Sequence, residues 1–180
     1  MGCDIHLRVE RRRKKNTYPN EKNEWWGVAF YSEFSCPVYG MFARMAGVRD
    51  YQGKKMFETR GLPDGIDWTT QQTFYMHVTT DEGAIEWGQN YCSKENAERW
   101  VESGYSKWVD ETHNLVTDPD HHSHSWLTTQ ELRQCFDDCF IMEDGTLSGD
   151  YVDWLGLVSL CEGIESTDEY ECRVVFAFDN

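Results

Sequence analysis

No stretch of the sequence approaches the roughly 18 consecutive apolar residues that a membrane span requires, so no crossing of a bilayer is expected. The N-terminus has no signal-like apolar run, and the seven cysteines form no CxxC pair. Together these point to buried thiols in a reducing cytosol and to a cytoplasmic location. Positive charge is scarce, with 17 Lys and Arg against 32 Asp and Glu, for a net charge of −15. Such a chain lacks the cationic field that holds phosphate backbones, which argues against nonspecific binding of nucleic acid. There is no Walker loop, dinucleotide fingerprint or nucleophile elbow, and no internal repeat or low-complexity linker. One domain over residues 1–180 is expected, a length that removes roughly 70% of the unfolded surface from water.

What is abundant is aromatic surface. Eight Trp, nine Tyr and nine Phe make up a large part of the 39% apolar residues, so large planar side chains build the core and line any pocket.

Cys3, Ile5, Leu7 and Val9 alternate with Asp4, His6, Arg8 and Glu10, the period-two pattern of a half-buried strand over residues 3–11. The basic run Arg11 to Lys15 precedes Asn16, Pro19 and Asn20 and reads as a hairpin tip, leading to a second strand at 24–30. Val38, Met41, Phe42, Met45 and Val48 predict a helix closed near Gly47, and residues 60–65 a loop before a strand at 73–79. A helix is predicted from Ser93 to about Gly104. Residues 110–125 are polar, contain Pro119 and four of the six histidines, and read as a long loop. Thr128 and Glu131 form a capping box for a helix through Leu132, Cys135, Phe136, Cys139 and Phe140. Another helix is predicted over 151–164. The apolar run at 171–178 suits a central strand covered on both faces. The expected fold is α+β: a mixed or mainly antiparallel sheet of about four strands packed by three or four helices.

Two pairs stand out for chemistry. Asp4 and His6 are two apart on a strand and face the same way; His122 and His124 share this spacing if their backbone is extended. Together they form a set suited to Zn²⁺ or Mn²⁺ with a metal-bound water as nucleophile. Hydrogen-bonded structural histidines fit the same residues. His77-Val78-Thr79 with His121-His122-Ser123 offers a third reading, a two-histidine acid and base pair. Cys135 and Cys139, one helical turn apart, fall on an apolar face and read as core.

The opening Met1-Gly2-Cys3-Asp4-Ile5-His6, the helix Met41 to Arg49, the turn Arg60-Gly61-Leu62-Pro63, the element His122-Ser123-His124-Ser125-Trp126-Leu127 and the ending Phe178-Asp179-Asn180 together resemble a family of phage and bacterial proteins. That family begins with MGCDIH and carries an H-S-x-S-W-L element. The resemblance brings no activity; it implies a phage or prophage setting, where small proteins act on the host. With the aromatic content, this leads to an expected role: sequestering a small nucleotide-derived ligand as an anti-defence protein, at a pocket of Asp4, His6, Arg60, His122, Ser123, Ser125 and Trp126, without a cofactor. The alternatives are a metal-dependent phosphodiesterase using Asp4, His6, His122 and His124 with Zn or Mn, and an acidic inhibitor of a host defence protein. A homodimer is compatible with each.

Overall fold

The alternation of Ile5, Leu7 and Val9 with His6, Arg8 and Glu10 organises the sheet around strand β1 (Ile5–Arg13). The computed structural model describes residues 2–15, 23–31, 38–87 and 90–179. Strand β2 (Trp26–Tyr31) pairs antiparallel with β1, so the expected N-terminal hairpin neighbours are present, while most of its tip lies outside the described residues. The remaining elements follow in order: helices α1 (Tyr39–Ala46) and α2 (Trp68–Phe74), strand β3 (Tyr75–Val78), helix α3 (Glu82–Trp87), strand β4 (Tyr91–Cys92), helix α4 (Lys94–Glu102), strands β5 (Leu115–Thr117) and β6 (His122–Thr128), helices α5 (Thr129–Phe140) and α6 (Val152–Glu165), and strand β7 (Tyr170–Phe178). Four strands form an antiparallel sheet in the order β2-β1-β7-β6; three short ones form a mixed sheet in the order β4-β3-β5.

The register of β1 on β7 pairs Ile5 with Phe178, Leu7 with Phe176 and Val9 with Val174. All six side chains belong to the main core, with Phe42 and Met45 of α1, Phe136 and Phe140 of α5, and Trp154, Leu157 and Val158 of α6. Two predicted helix boundaries are held by local chemistry. Gly47 ends α1 in the left-handed region (φ 72), where an added Cβ would be strained. Thr128 and Glu131 cap α5 reciprocally. β7 lies inside the sheet, buried from Cys172 to Phe178, as its unbroken apolar run requires.

Residues of the intervening positions point to a second layer. Glu10 and Arg173 face each other across β1 and β7, are 0% and 5% exposed, and meet at 2.7 Å. Glu10 Oε1 also accepts from the Asp67 amide, and Arg173 donates to the Asp64 and Gly65 carbonyls and stacks on Trp25. This ion pair thus ties the 64–67 loop to the sheet.

The structure differs from the sequence reading at helix α2, at the start of β3 and within residues 110–125, where the expected loop carries strand β5 as well as the opening of β6. Helix α2 was not expected, because Trp68–Phe74 is rich in Thr and Gln without an apolar stripe. It is started by Asp67, which accepts from the Thr69 amide, and docked by Arg8, whose Nε donates to Thr73 Oγ1 at 2.6 Å. Strand β3 therefore begins only at Tyr75. Residues 122–125, read as loop, open strand β6: an edge strand facing a cleft need not show alternating hydrophobicity, and a bulge breaks its period. Six cysteines are free and Cys36 lies outside the described residues. No helix among the described residues is long and apolar enough to cross a membrane.

Candidate ligand-binding cleft

Opposite the helices, β6, the 59–66 loop and the 104–109 loop enclose a cleft of about 830 Å³. Its floor depends on one irregularity. Between His122 and Ser125 strand β6 advances three residues while its partner advances two, from Phe178 to Phe176, and Ser123 takes a left-handed φ of 53 to absorb the extra residue. The bulge breaks the extended geometry that would make His122 and His124 equivalent. His122 stacks on Phe178 of the main core (6.1 Å between centroids), whereas His124 lies edge-on to Phe74 of the second layer (6.1 Å).

His121, which the sequence offered only as one end of a weak His-x-Ser match, is the hub. Its ring lies 4.4 Å from His6, 5.9 Å from Phe74 and 6.3 Å from His124. Behind it, His6 Nε2 is 3.0 Å from Asp179 Oδ2, and Asp179 Oδ1 accepts from the Asp4 amide at 2.9 Å. Asp4 thus contributes its backbone to this cluster; its residue is exposed.

On the far side, the Arg60 amide donates to Ser125 Oγ (3.1 Å) and the Gly61 amide to the His124 carbonyl (3.0 Å), fastening the 60–63 turn to β6. The Arg60 guanidinium pairs with Glu131 and lies over the Trp126 ring, so its charge is already engaged. Four sequence elements therefore meet at one end of the sheet, with Asp4 and Asp179 lying 175 positions apart in the chain. Of the residues expected at a pocket, Arg60, His122 and Ser123 line the cleft, as does His124. Asp4, His6, Ser125 and Trp126 stand outside the lining and hold it in place. His77, on β3, packs against Tyr91 and is not part of the lining. Among the described residues, no three His, Cys, Asp or Glu side chains converge as a metal ion would need.

The opposite wall had no signature in the sequence. It is the loop that follows α4, turned by Gly104 (φ 77), and it brings Tyr105, Ser106, Lys107 and Trp108 to the cleft. Trp108 is stacked on His113 at 4.3 Å, Tyr105 and Lys107 are exposed, and Ser106 is only 4% exposed.

Burial holds His124 neutral, and the nearby His121, His122 and Lys107 push it further in the same direction, to a pKa of about 4. His121 is also lowered, by burial and then by His6, against the opposing pull of Asp118, Asp179 and Asp120. Burial raises the Asp179 carboxyl, but its bonds from His6 and the Asp4 amide outweigh this and leave it below the usual carboxylate range. Both His121 and His124 are therefore neutral imidazoles at pH 7, each with one donor and one acceptor nitrogen.

No family model, curated protein or solved structure matches the chain.

One feature sets the cleft apart chemically. Ser106 Oγ, His121 Nδ1, His122 Nε2 and His124 Nε2 are buried without a partner among the described residues, and all four residues line this one space. A buried polar group left unpaired costs about 1–3 kcal/mol.

Proposed function

We propose that the chain binds a small nucleotide-derived ligand in this cleft and holds it unchanged, acting as a phage-type host-modulating protein that sequesters a signal. The observation that carries this reading is that four residues lining one cleft, Ser106, His121, His122 and His124, each hold a buried polar side-chain atom without a partner among the described residues. A ligand rich in hydroxyls, ring nitrogens and phosphate oxygens supplies partners for these groups as their side chains turn to meet it. Lys107 supplies positive charge where Arg60 does not, since Arg60 is paired with Glu131.

Binding of a phosphate beside neutral His121 and His124 favours their protonated forms, so affinity rises as pH falls from 8 toward 5 and binding takes up protons. The expected pocket of Asp4, His6, Arg60, His122, Ser123, Ser125 and Trp126 becomes, in this reading, a lining of Arg60, His121, His122, Ser123, His124, Ser106 and Lys107 on a brace formed by Asp4, His6, Ser125 and Trp126. The metal-dependent phosphodiesterase asks Asp4, His6, His122 and His124 to act at one point. Sequestration is favoured because His6 pairs with Asp179 while His122 and His124 pack on different aromatic rings.

Native mass spectrometry of the purified protein with cyclic and ADP-ribose-derived nucleotides, and metal analysis of the same sample, tests the reading. A stoichiometric adduct released intact on denaturation supports it. Turnover of the nucleotide dependent on Zn or Mn, and lost in His6→Ala, replaces it with the hydrolase.

A further inference from the structure

A second hollow, of about 610 Å³, lies on the other side of Tyr105. Tyr105 lines both spaces. So does the wall on which it stands: Ser106 and Lys107 face the cleft while Trp100 and Ser103 face the hollow. The turn after β5 is divided in the same way, with Thr117 and His121 on the cleft side and Asp118, Pro119 and Asp120 on the other.

This partition is held by backbone bonds. The Tyr105 amide donates to the Trp100 carbonyl (2.9 Å), Thr117 to Lys107 (3.0 Å), Asp118 to Phe74 (2.9 Å) and His121 to Asp118 (3.2 Å). The two spaces are therefore kept at a fixed spacing, and each falls in the range of about 300–1,000 Å³ that encloses a small ligand.

Their chemistry differs in a complementary way. The cleft offers neutral imidazoles, the Ser106 hydroxyl and the Lys107 ammonium, which suit a phosphorylated sugar. The hollow offers the Trp100 ring and the Met76 side chain for a flat ring system, with Asp118 and Asp120 as acceptors for amino or hydroxyl groups and Arg99 as its one cation among the described residues. Two carboxylates against one guanidinium leave the hollow net negative, which places the anionic part of a ligand on the Lys107 side of Tyr105.

We infer that the ligand of the cleft is a two-unit molecule, two nucleoside-like units joined by an anionic linkage, with its second ring in the hollow beside Trp100 and Tyr105. The inference rests on the binding reading above and narrows its ligand class. A one-unit nucleotide reaches the imidazoles and Lys107 but leaves the hollow empty. A two-unit ligand adds one base on an aromatic surface, a contact that contributes about 1–3 kcal/mol, roughly tenfold or more in affinity.

Isothermal titration with AMP, NAD and a cyclic dinucleotide separates the outcomes. In the unaltered protein at least one two-unit probe binds ten or more times tighter than AMP. Trp100 lines the hollow but not the cleft, and Trp100→Leu, which keeps apolar bulk in its cluster, reduces that probe to the AMP level and leaves AMP itself unchanged. Equal affinity of AMP and both two-unit probes overturns the inference, as does an advantage that survives Trp100→Leu. If AMP binds and Lys107→Ala weakens it while the two-unit advantage is absent, only this inference fails. If no probe binds at all, the binding reading falls with it.

Discussion

On the helix-covered face of the four-stranded sheet, Leu7, Val9, Val174 and Phe176 are all 0% exposed and belong to one hydrophobic cluster; on the opposite face Glu10, Arg173, His6 and Asp179 stand in the corresponding rows. The first face is specified by volume and hydrophobicity. The second is specified by partners: each polar group is either paired, as Glu10 is with Arg173, or left unpaired at the cleft, as the imidazoles are. The same two central strands thus support a face whose work is stability and a face where stability is given up locally, the usual signature of a site shaped for something else.

Breaking the apolar face has the largest effect. Phe176→Ala leaves a cavity under α5 and α6, and chemical denaturation should show a loss of about 3–5 kcal/mol. On the other face, Glu10→Ala strands a buried guanidinium and releases the 64–67 loop, with an expected loss of about 3 kcal/mol or more. The double replacement Glu10→Met with Arg173→Met should cost clearly less than the sum of the two single changes. Additive losses would mean that the pair does not act as a unit.

The pH dependence of stability sharpens the comparison. His124 has its folded pKa depressed to about 4 from the ordinary imidazole value of 6.5, so the unfolded chain binds more protons between those values. Its neutral form is accommodated above pH 6.5, and stability falls as the pH drops from about 6.5 to about 4, by on the order of 3 kcal/mol. Asp179, depressed below its ordinary value, loses its stabilising bonds at still lower pH and adds to the decline in the same direction. In His124→Gln the slope between pH 6.5 and 4 should flatten in denaturation curves; an unchanged slope would assign it elsewhere. The smallest effect is at Ser106, whose buried hydroxyl has no partner among the described residues. Ser106→Ala should change stability by less than about 1 kcal/mol in either direction, yet weaken ligand binding in titration.

The contrast between the faces also explains what could be read from the chain. Helix α5 was legible because Thr128 and Glu131 announce its start and the spacing of Leu132, Cys135, Phe136 and Phe140 its buried face. Strand β1 was legible from its alternation, and β7 from its unbroken apolar run. Helix α2 was not, since Trp68–Phe74 has weak helical preference and is held by Asp67 and Arg8 instead of by an apolar stripe. Strand β6 was hidden by its polar opening and its bulge. For the site, the sequence drew notice to Asp4, His6, Arg60 and the histidine-rich segment, and these do gather at one end of the sheet. It gave no sign of His121 as the hub, of Asp179 as the partner of His6, or of the 104–109 loop as the facing wall.

By itself the amino-acid sequence determined the α+β class, the apolar face of the main sheet and the capped helices that cover it, because these follow from periodicity and short-range hydrogen bonding within a few residues. Only the tertiary structure decided that His6 meets Asp179 and His121, that the bulge at Ser123 separates His122 from His124, and that the loop after α4 forms the facing wall of the cleft. Those contacts join residues far apart in the chain, and their geometry is set by strand register and loop closure, which no local pattern encodes.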